Sequence, residues 1–519
     1  MTVESPTVPN ARFARAALLG VVFVCAACGL AYELALISLG SFLIGNTATQ
    51  ASIVLAVMVF AMGVGSLAAK PLQRHAAAAF AIIELALALL GGLSVLALYA
   101  AFAYLSIYTS ALIVVAFVLG LLIGAEIPLL MVLLQRIRKQ EAGSAVADMF
   151  AADYIGALIG GLCFPFLLLP FFGQLRGALV VGLVNAAAGA FLIFVVFGRV
   201  LSRPKLIALG TATLAVVAAL IAGLVMSGWF EVTARQALYR DPVVAAERTA
   251  YQDIVITERR TALGRDTRLF LNGDLQFSSI DEYRYHEALV HPVMSALPAR
   301  GGSVLVLGGG DGLALREVLT YPNLGPTTLV ELDPEMVRLG RTDPRLTSLN
   351  RGSMNDPRAN IVTADAFSWL RDNQSRFDVI IIDMPDPDET ATAKLYSAEF
   401  YAMVRGHLAT GGRVVVQSGS PYFAPQSFWC IGSTLAEAGF QTTPYHVDVP
   451  SFGDWGFYLA GFQRPSLTMT APRETRFLTP AVLAAAGVFP ADRQPRPTPP
   501  STLMDPRILR YAQSEWTAY

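Results

Sequence analysis

Four aspartates, Asp311, Asp365, Asp383 and Asp386, each come shortly after a short apolar run. An α/β protein presents side chains to a ligand at such strand ends. Asp311 lies in Gly308-Gly309-Gly310-Asp311-Gly312, which follows Ser303-Val-Leu-Val-Leu307 and leads into Leu-Ala-Leu-Arg316-Glu317. Glycines at that junction, Gly308 and Gly310 among them, let the backbone approach a ligand closely. Glu331 closes the next apolar run about 20 residues later, where an acid can bind ribose hydroxyls. Leu313 occupies the third glycine position of a G-x-G-x-x-G fingerprint. A pyrophosphate dinucleotide is therefore disfavoured, and an adenosyl ligand without pyrophosphate is favoured. Asp365-Ala366 and Asp383-Met-Pro-Asp386-Pro387 would emerge at the same sheet edge. Carboxylates crowded at one mouth need cations, which a diamine and a sulfonium compound would provide. A single aspartate there is more simply read as a helix cap; the set of four reads as a site.

The elements that must position these residues are legible. Apolar runs Ser303–Leu307, Thr327–Leu332, Asn360–Thr363, Asp378–Asp383 and Arg413–Gln417 alternate with helical stretches, which predicts a doubly wound, Rossmann-like parallel sheet of the adenosylmethionine-dependent type. Upstream, Ile254–Glu258 and Arg268–Leu271 predict a small β-hairpin layer. Leu271-Asn272-Gly273-Asp-Leu-Gln276 reads as a turn, and Asp281-Glu282-Tyr283-Arg284-Tyr285-His286-Glu287 as a charged helix start. From Pro465 the chain is rich in Pro and Arg, with 493–500 expected to be irregular.

The first half follows other rules. The whole chain is 54% hydrophobic and 15% charged, with a mean hydropathy of +0.52. Soluble proteins average roughly 25% charged residues, so an apolar block is required. A net charge of −1 gives no field to attract nucleic acid. Seven stretches are long enough to cross a bilayer: about Ala16–Leu39, Ala51–Ala69, Ala76–Tyr99, Ile107–Leu134, Met149–Phe171, Gly177–Phe197 and Leu206–Trp229. The first is too long for a cleaved signal peptide and lacks its cleavage site. The expected organisation is a multi-pass membrane domain over 1–232, a small β domain over 240–298, a catalytic sheet over 299–465 and an extension over 466–519. The expected location is the cell (inner) membrane.

Basic residues after the second, fourth and sixth stretches (Lys70 and Arg74; Arg136, Arg138 and Lys139; Arg199, Arg203 and Lys205), with Arg12 and Arg15 before the first, place those connections and the amino terminus in the cytoplasm. Seven crossings would then put the second half outside, unless one stretch does not fully cross. Glu33, Glu84, Glu126 and Asp153 lie within the apolar stretches. They read either as a cation or polyamine path or as interhelical hydrogen-bonding groups. Cys25, Cys28, Cys163 and Cys430 form no disulfide framework and no zinc pattern. Cys25-Ala-Ala-Cys28 reads as small residues packing between helices.

The order and spacing of Leu-Asn-Gly…Gln276, Asp281-Glu-x-x-Tyr285-His286-Glu287, Gly308–Gly312 with Arg316-Glu317, Glu331-x-Asp333, Asp365 and Asp383-x-x-Asp386-Pro387 resemble the spermidine synthase family, the polyamine aminopropyltransferases. The likeness runs from Tyr251 to Phe462, and the apolar half resembles that of the family's membrane-bound bacterial branch. The resemblance implies transfer of an aminopropyl group from decarboxylated S-adenosylmethionine to a diamine, putrescine by default, with no tightly bound cofactor and no metal. It implies that Gln252 and Gln276 line the co-substrate pocket. Asp311 would hold the aminopropyl end, Glu331 the ribose, and Asp365 with Ala366 the adenine. Asp383 would be the general base, assisted by Tyr285; Asp386, with Gln417 and His286, would face the acceptor. A homodimer is what the family suggests. Two departures stand out: Asp388-Glu-Thr-Ala-Thr-Ala-Lys394-Leu-Tyr396 replaces a short Gly-Pro stretch, and Phe452 stands where a tyrosine is expected in the amine pocket.

Two rival readings share these residues. One is an adenosylmethionine-dependent methyltransferase, which would not need the Asp383/Asp386 pair together with 281–287. The other is a transporter or sensor whose synthase-like domain only binds polyamines.

Overall fold

The computed structural model describes residues 11–44, 47–137, 142–198, 201–262, 264–299, 301–469 and 474–516. Arg138, Lys139 and Arg199, used above for orientation, lie outside these residues, as does the side chain of Arg136. The chain divides into two compact units, Met1–Arg240 and Asp241–Tyr519.

The first unit is helical. Its long helices are α1 (Ala11–Ile44), α2 (Thr47–Ala68), α3 (Ala76–Ala100), α4 (Tyr108–Ile137), α5 (Ala142–Cys163), α6 (Leu169–Phe191) and α7 (Arg203–Leu238). Six continuous helical stretches are long and apolar enough to cross a membrane, one fewer than expected. The difference lies at Val146–Val196, where α5 and α6 join through a π-helical turn, Phe164–Leu168, into one stretch of 51 residues. No polar run separates them. Only Gly173 interrupts the path, with φ 70° and ψ −175°, a conformation that glycine adopts without a Cβ clash. At about 1.5 Å per residue the stretch is long enough for two crossings of about 30 Å each.

Small residues let these helices approach closely. A Cβ on Gly124 would lie 2.1 Å from the Met62 carbonyl oxygen, and one on Gly160 would lie 2.3 Å from that of Ala27. Side-chain bulk is excluded at both crossings, so the helix backbones pack directly against one another.

The second unit holds two sheets. An antiparallel meander is formed by β1 (Val243–Arg248), β2 (Asp253–Thr261), β3 (Gly264–Leu271) and β4 (Asp274–Ser278). β3 and β4 are joined through Asn272 and Gly273, both at positive φ (52° and 98°), the Asn-Gly pair that a tight hairpin favours. Helix α8 (Glu282–Met294) follows.

The seven-stranded sheet comprises β5 (Gly302–Gly308), β6 (Leu324–Glu331), β7 (Ala359–Thr363), β8 (Phe377–Asp383), β9 (Leu408–Gln417), β10 (Gln441–Val449) and β11 (Gly453–Gly461), in the order β10-β11-β9-β8-β5-β6-β7. Strands β5 to β9 pair in parallel, whereas β11 runs antiparallel to both β9 and β10. All five predicted strands are present and slightly longer. β1, β4, β10 and β11 were not read from the sequence. Val304–Leu307 and Val379–Ile382 are completely buried between the layers, which explains their uninterrupted apolar character.

The C-terminal segment is not merely irregular. It contributes helices Pro480–Ala486 and Arg507–Trp516 and inserts Leu478, Leu483 and Ile508 into the core. Glu515 accepts backbone N–H groups of Gln426 and Ser427 at 2.9 and 3.0 Å, at the start of helix Pro425–Glu437. It thereby supplies the cap which that helix end lacks of its own.

Candidate active site

Strand register gathers the acids. Gly308 pairs with Asp383 across β5 and β8, Leu307 with Val330, Glu331 with Thr363, and Ile382 with Val416. The carboxyl ends of five parallel strands are therefore level, and Gly308, Glu331, Asp383 and Gln417 occupy adjacent places on one edge. The strand order reverses between β5 and β8, where doubly wound sheets open a ligand crevice.

The glycine turn is shaped by what surrounds it. Gly308 has φ +84°, and a Cβ there would stand 2.1 Å from the Asp383 carbonyl oxygen. At Gly310 a Cβ would lie 2.7 Å from Glu331 Oε2. The missing side chain lets the Gly310 N–H donate to that oxygen at 3.1 Å, while Glu331 Oε1 accepts from the Asp333 N–H at 3.0 Å. Burial pushes Glu331 up to about 7, against the pull of these donors.

Asp333 then connects outward: its Oδ2 accepts from Gln252 Nε2 at 2.9 Å and from Thr249 Oγ1 at 2.8 Å. Gln252, Asp333, Glu331 and Gly310 form one chain from the meander to the sheet edge. Gln276 joins no other predicted residue; its amide donates to the neighbouring Asp274 carbonyl at 3.2 Å.

Asp383 Oδ1 accepts from the Tyr285 hydroxyl at 2.6 Å. Behind this pair lies a buried relay. His286 Nδ1 sits 2.9 Å from Glu282 Oε2, and Arg316 donates to both Glu282 oxygens at 2.9 Å. Burial opposes the charge on Glu282, but His286 and Arg316 outweigh it and hold the carboxylate down at about 2. Burial likewise opposes the cation on His286; Glu282, then Asp311 and Asp383, raise it above its ordinary value. His286 in turn restrains Asp311, which burial pushes to about 6, and Asp383, which burial also raises.

The remaining acids of the 281–287 helix start organise the surrounding loops. Asp281 accepts from the Ser451 N–H and hydroxyl at 2.6 and 2.9 Å, which fixes the loop carrying Phe452. That ring lies 6.1 Å from the Tyr285 ring and 5.0 Å from Trp455. Glu287 accepts three backbone N–H groups, from Arg476, Phe477 and Leu478.

On the other side, Gln417 Nε2 donates to Asp386 Oδ1 at 3.1 Å, to the Met384 carbonyl at 2.6 Å and lies 2.7 Å from the Tyr396 hydroxyl. Burial, and then Asp388, push Asp386 up to about 7. The replaced Gly-Pro stretch brings further acids: Asp274, raised to about 7 by burial, also feels Asp388, Asp386 and Glu389. Asp274, Asp388 and Glu389 had no assigned role in the sequence reading, and their clustering depends on a hairpin tip meeting a loop over a hundred residues away. Gln513 donates to the Asp388 carbonyl at 2.9 Å.

Asp365 behaves differently. It caps helix Ala366–Asp372 through the Phe367 and Ser368 N–H groups, and its Oδ2 is 2.7 Å from Lys394 Nζ. Burial acts upward on this acid, but Lys394 and the two N–H donors leave it below its usual range. The lysine comes from the replaced stretch, and a side chain reaching back 29 residues had no signal in local spacing. Ala366 opens the helix and is nearly buried. A cavity lined by Tyr422, Phe423, His446, Asp454 and Arg493 contains none of the predicted site residues.

Residues 282–469 match the spermine/spermidine synthase domain family. Polyamine aminopropyltransferase 1 of Streptomyces coelicolor is 58% identical over 99% of this chain and 97% of its own length. The polyamine aminopropyltransferase of Mycobacterium tuberculosis is 48% identical over 97% of each chain. A crystal structure of spermidine synthase in complex with the transition-state analogue AdoDATO is 28% identical, covers 48% of this chain and 85% of its own, and has a TM-score of 0.44. On the near full-length likeness to those relatives, this chain belongs to the polyamine aminopropyltransferases, the spermine/spermidine synthase family of enzymes.

Proposed function

We propose that the pocket transfers the aminopropyl group of decarboxylated S-adenosylmethionine to a diamine, with putrescine as the default acceptor and spermidine and methylthioadenosine as products. The observation that carries this reading is Asp383. It ends β8 beside the glycine turn, accepts a short hydrogen bond from Tyr285 and feels His286, which opposes its protonation.

An alkylamine with a pKa near 10 is almost wholly protonated at neutral pH and cannot attack carbon. Asp383 binds the ammonium and takes one proton as the nitrogen lone pair closes on the aminopropyl carbon. The carbon–sulfur bond breaks with its electron pair going to sulfur, so the sulfonium leaves as a neutral thioether. Tyr285 orients Asp383, and the Arg316–Glu282–His286 relay favours its ionised form. His286 thus acts from behind the pair, as a positioning residue. Asp386, held by Gln417, receives the distal ammonium; Asp274, Asp388 and Glu389 extend the negative surface around it. Glu331 binds the ribose, Asp311 the aminopropyl end, and Asp365 the adenine amine once Lys394 yields. Alignment of nitrogen, carbon and sulfur supplies most of the acceleration.

The helical unit fits a multi-pass membrane anchor, supported by six stretches of sufficient length and hydropathy. Incubating the purified chain with decarboxylated or intact S-adenosylmethionine plus putrescine, and identifying the nucleoside released, tests the proposal. Methylthioadenosine with spermidine is expected. S-adenosylhomocysteine with a methylated amine would establish the methyltransferase reading in its place.

A further inference from the structure

The helical unit contains a second gathering of acids that the transfer reaction does not use. Cys25 on α1, Glu84 on α3 and Glu126 on α4 each present a ligand-type atom, and these atoms all lie within 4.8 Å of one another. All three residues are buried, with Glu84 0% exposed. In an apolar interior an ionised carboxylate is retained only when a cation or strong donors compensate it. Here no cation compensates: Glu84 is approached by Cys25, Glu126 and Asn185, and no Lys, Arg or His among the described residues takes part in the electrostatics of Glu84 or Glu126. Neither Glu84 oxygen has a hydrogen-bond partner of ordinary geometry among the described residues. Asn185 approaches Glu84, but its amide donates to the backbone carbonyl, at 3.3 Å.

An independent observation points into the same space. The Tyr32 hydroxyl, on a residue 1% exposed, has no hydrogen-bond partner among the described residues, and the ionisable groups near enough to act on it are Cys28, Glu84, Cys25 and Glu126. Its position is enforced, since the ring rests where a Cβ on Gly91 would come within 2.6 Å of it. Glu84 is pressed from the opposite helix by Gly189, whose Cβ would stand 2.9 Å from that of Glu84. Cys28 belongs elsewhere, because its thiol faces the Val181 carbonyl at 3.8 Å. The C-x-x-C spacing therefore contributes one cysteine and not two.

We infer that Cys25, Glu84 and Glu126 form a binding site for one divalent transition-metal ion of the zinc class inside the helical unit, with Tyr32 beside the fourth position. Coordination drives the thiol proton off to solvent, and the divalent charge then offsets two of the three negative ligands, so that ionised carboxylates carrying two negative charges become a site with only one. Three protein ligands including a sulfur suit a four-coordinate, borderline-soft ion. Mg²⁺ and Ca²⁺ require six or more oxygen donors, which this cluster lacks. The close grouping of the donor atoms also suits a bare ion better than an alkylammonium.

The test uses the untagged full-length chain in lipid nanodiscs, stripped with chelator and then equilibrated with Zn²⁺ alone. Mass spectrometry of the washed sample should find about one zinc per chain, with Glu84→Gln, Glu126→Gln and Cys25→Ser each weakening retention at least about tenfold and Cys163→Ser leaving it unchanged. Co²⁺ bound to the wild-type chain should show a thiolate charge-transfer band, a readout independent of any variant's folding. No retained zinc, a Glu84→Gln/Glu126→Gln double variant that retains zinc as the wild type does, or bound cobalt without the thiolate band would each overturn the inference. So would Glu84-dependent binding of spermidine in the absence of zinc binding, which would make the cluster an ammonium site.

Discussion

Around Asp383 and around Glu84 the chain brings carboxylates together from distant segments, but different company surrounds them. The sheet-edge acids are each met by a partner: Tyr285 for Asp383, Gln417 for Asp386, Lys394 for Asp365, and backbone N–H groups for Glu331 and Asp311. His286, whose cationic form Glu282 favours, stands behind them. At the helical cluster neither Glu84 oxygen has a hydrogen-bond partner of ordinary geometry among the described residues, and no Lys, Arg or His among them takes part in its electrostatics. A site whose acids are half-compensated can stand empty between turnovers and exchange positively charged small molecules. An uncompensated one in an apolar interior calls for an occupant that stays. The same residue type thus serves two purposes, and neighbours decide which.

The strongest way to break this contrast is Asp383→Asn. Removing the base should lower turnover by about 10²- to 10⁴-fold, with nucleoside affinity, read by calorimetry with methylthioadenosine, largely retained; a near-normal rate would remove the assignment. Asp386→Asn comes next. A lost charge-assisted contact to the distal ammonium, worth roughly 1.5–3 kcal/mol, should raise the KM for putrescine at least about tenfold while turnover at saturation changes less. If instead KM holds and only turnover falls, Asp386 does not bind the acceptor.

A third experiment sharpens the comparison through pH. Burial raises Glu331 and Asp386 to about 7 and Asp311 to about 6. A carboxyl whose folded pKa exceeds its unfolded value stabilises the fold fully below the unfolded pKa, and that contribution disappears as pH rises through the folded one. The ligand-free chain should therefore lose thermal stability between about pH 4 and 7. Glu282, held near 2, acts in the opposite sense only below about pH 4. Adding spermidine should flatten the slope; a slope indifferent to polyamine would mean these acids do not face the ligand. The smallest effect concerns Lys394→Met. The Asp365–Lys394 pair is partly exposed and of the kind worth about 0–1 kcal/mol. Freeing Asp365 should tighten methylthioadenosine binding by no more than about fivefold, and weakened binding would show that Lys394 itself contacts the nucleoside.

How much of this could be read in advance follows from distance along the chain. Glu331, Asp365 and Asp383 stand within a residue or two of strand ends, so alternation of apolar and polar segments was enough to put them on one edge. Tyr285 was reached only through the spacing shared with a known family, since nothing in Asp281–Glu287 by itself says that one helix start would secure the Ser451 loop, the 476–478 backbone and the general base. Lys394, Asp274 and Gln513 had no local signal. Each meets the site across a separation that only the completed sheet closes. The Cys25, Glu84 and Glu126 grouping needed three helices in register, and hydropathy is blind to helix rotation. Between the stretches read as Met149–Phe171 and Gly177–Phe197 the division falls at Gly173, where one backbone torsion, not a change in composition, interrupts the helix.

The three N–H groups held by Glu287 set a timetable for synthesis. They belong to residues 476–478, and the apolar residues that seal the core on that side, Leu478, Leu483 and Ile508, come near the end of the chain. The helical unit leaves the ribosome first. The catalytic unit meanwhile keeps an unsatisfied carboxylate and an open apolar flank until its tail emerges. A nascent chain halted before Leu478 would carry Asp311, Asp383 and Asp386 and still lack the closure that steadies them, so the second unit completes its core only after the whole first half has been made.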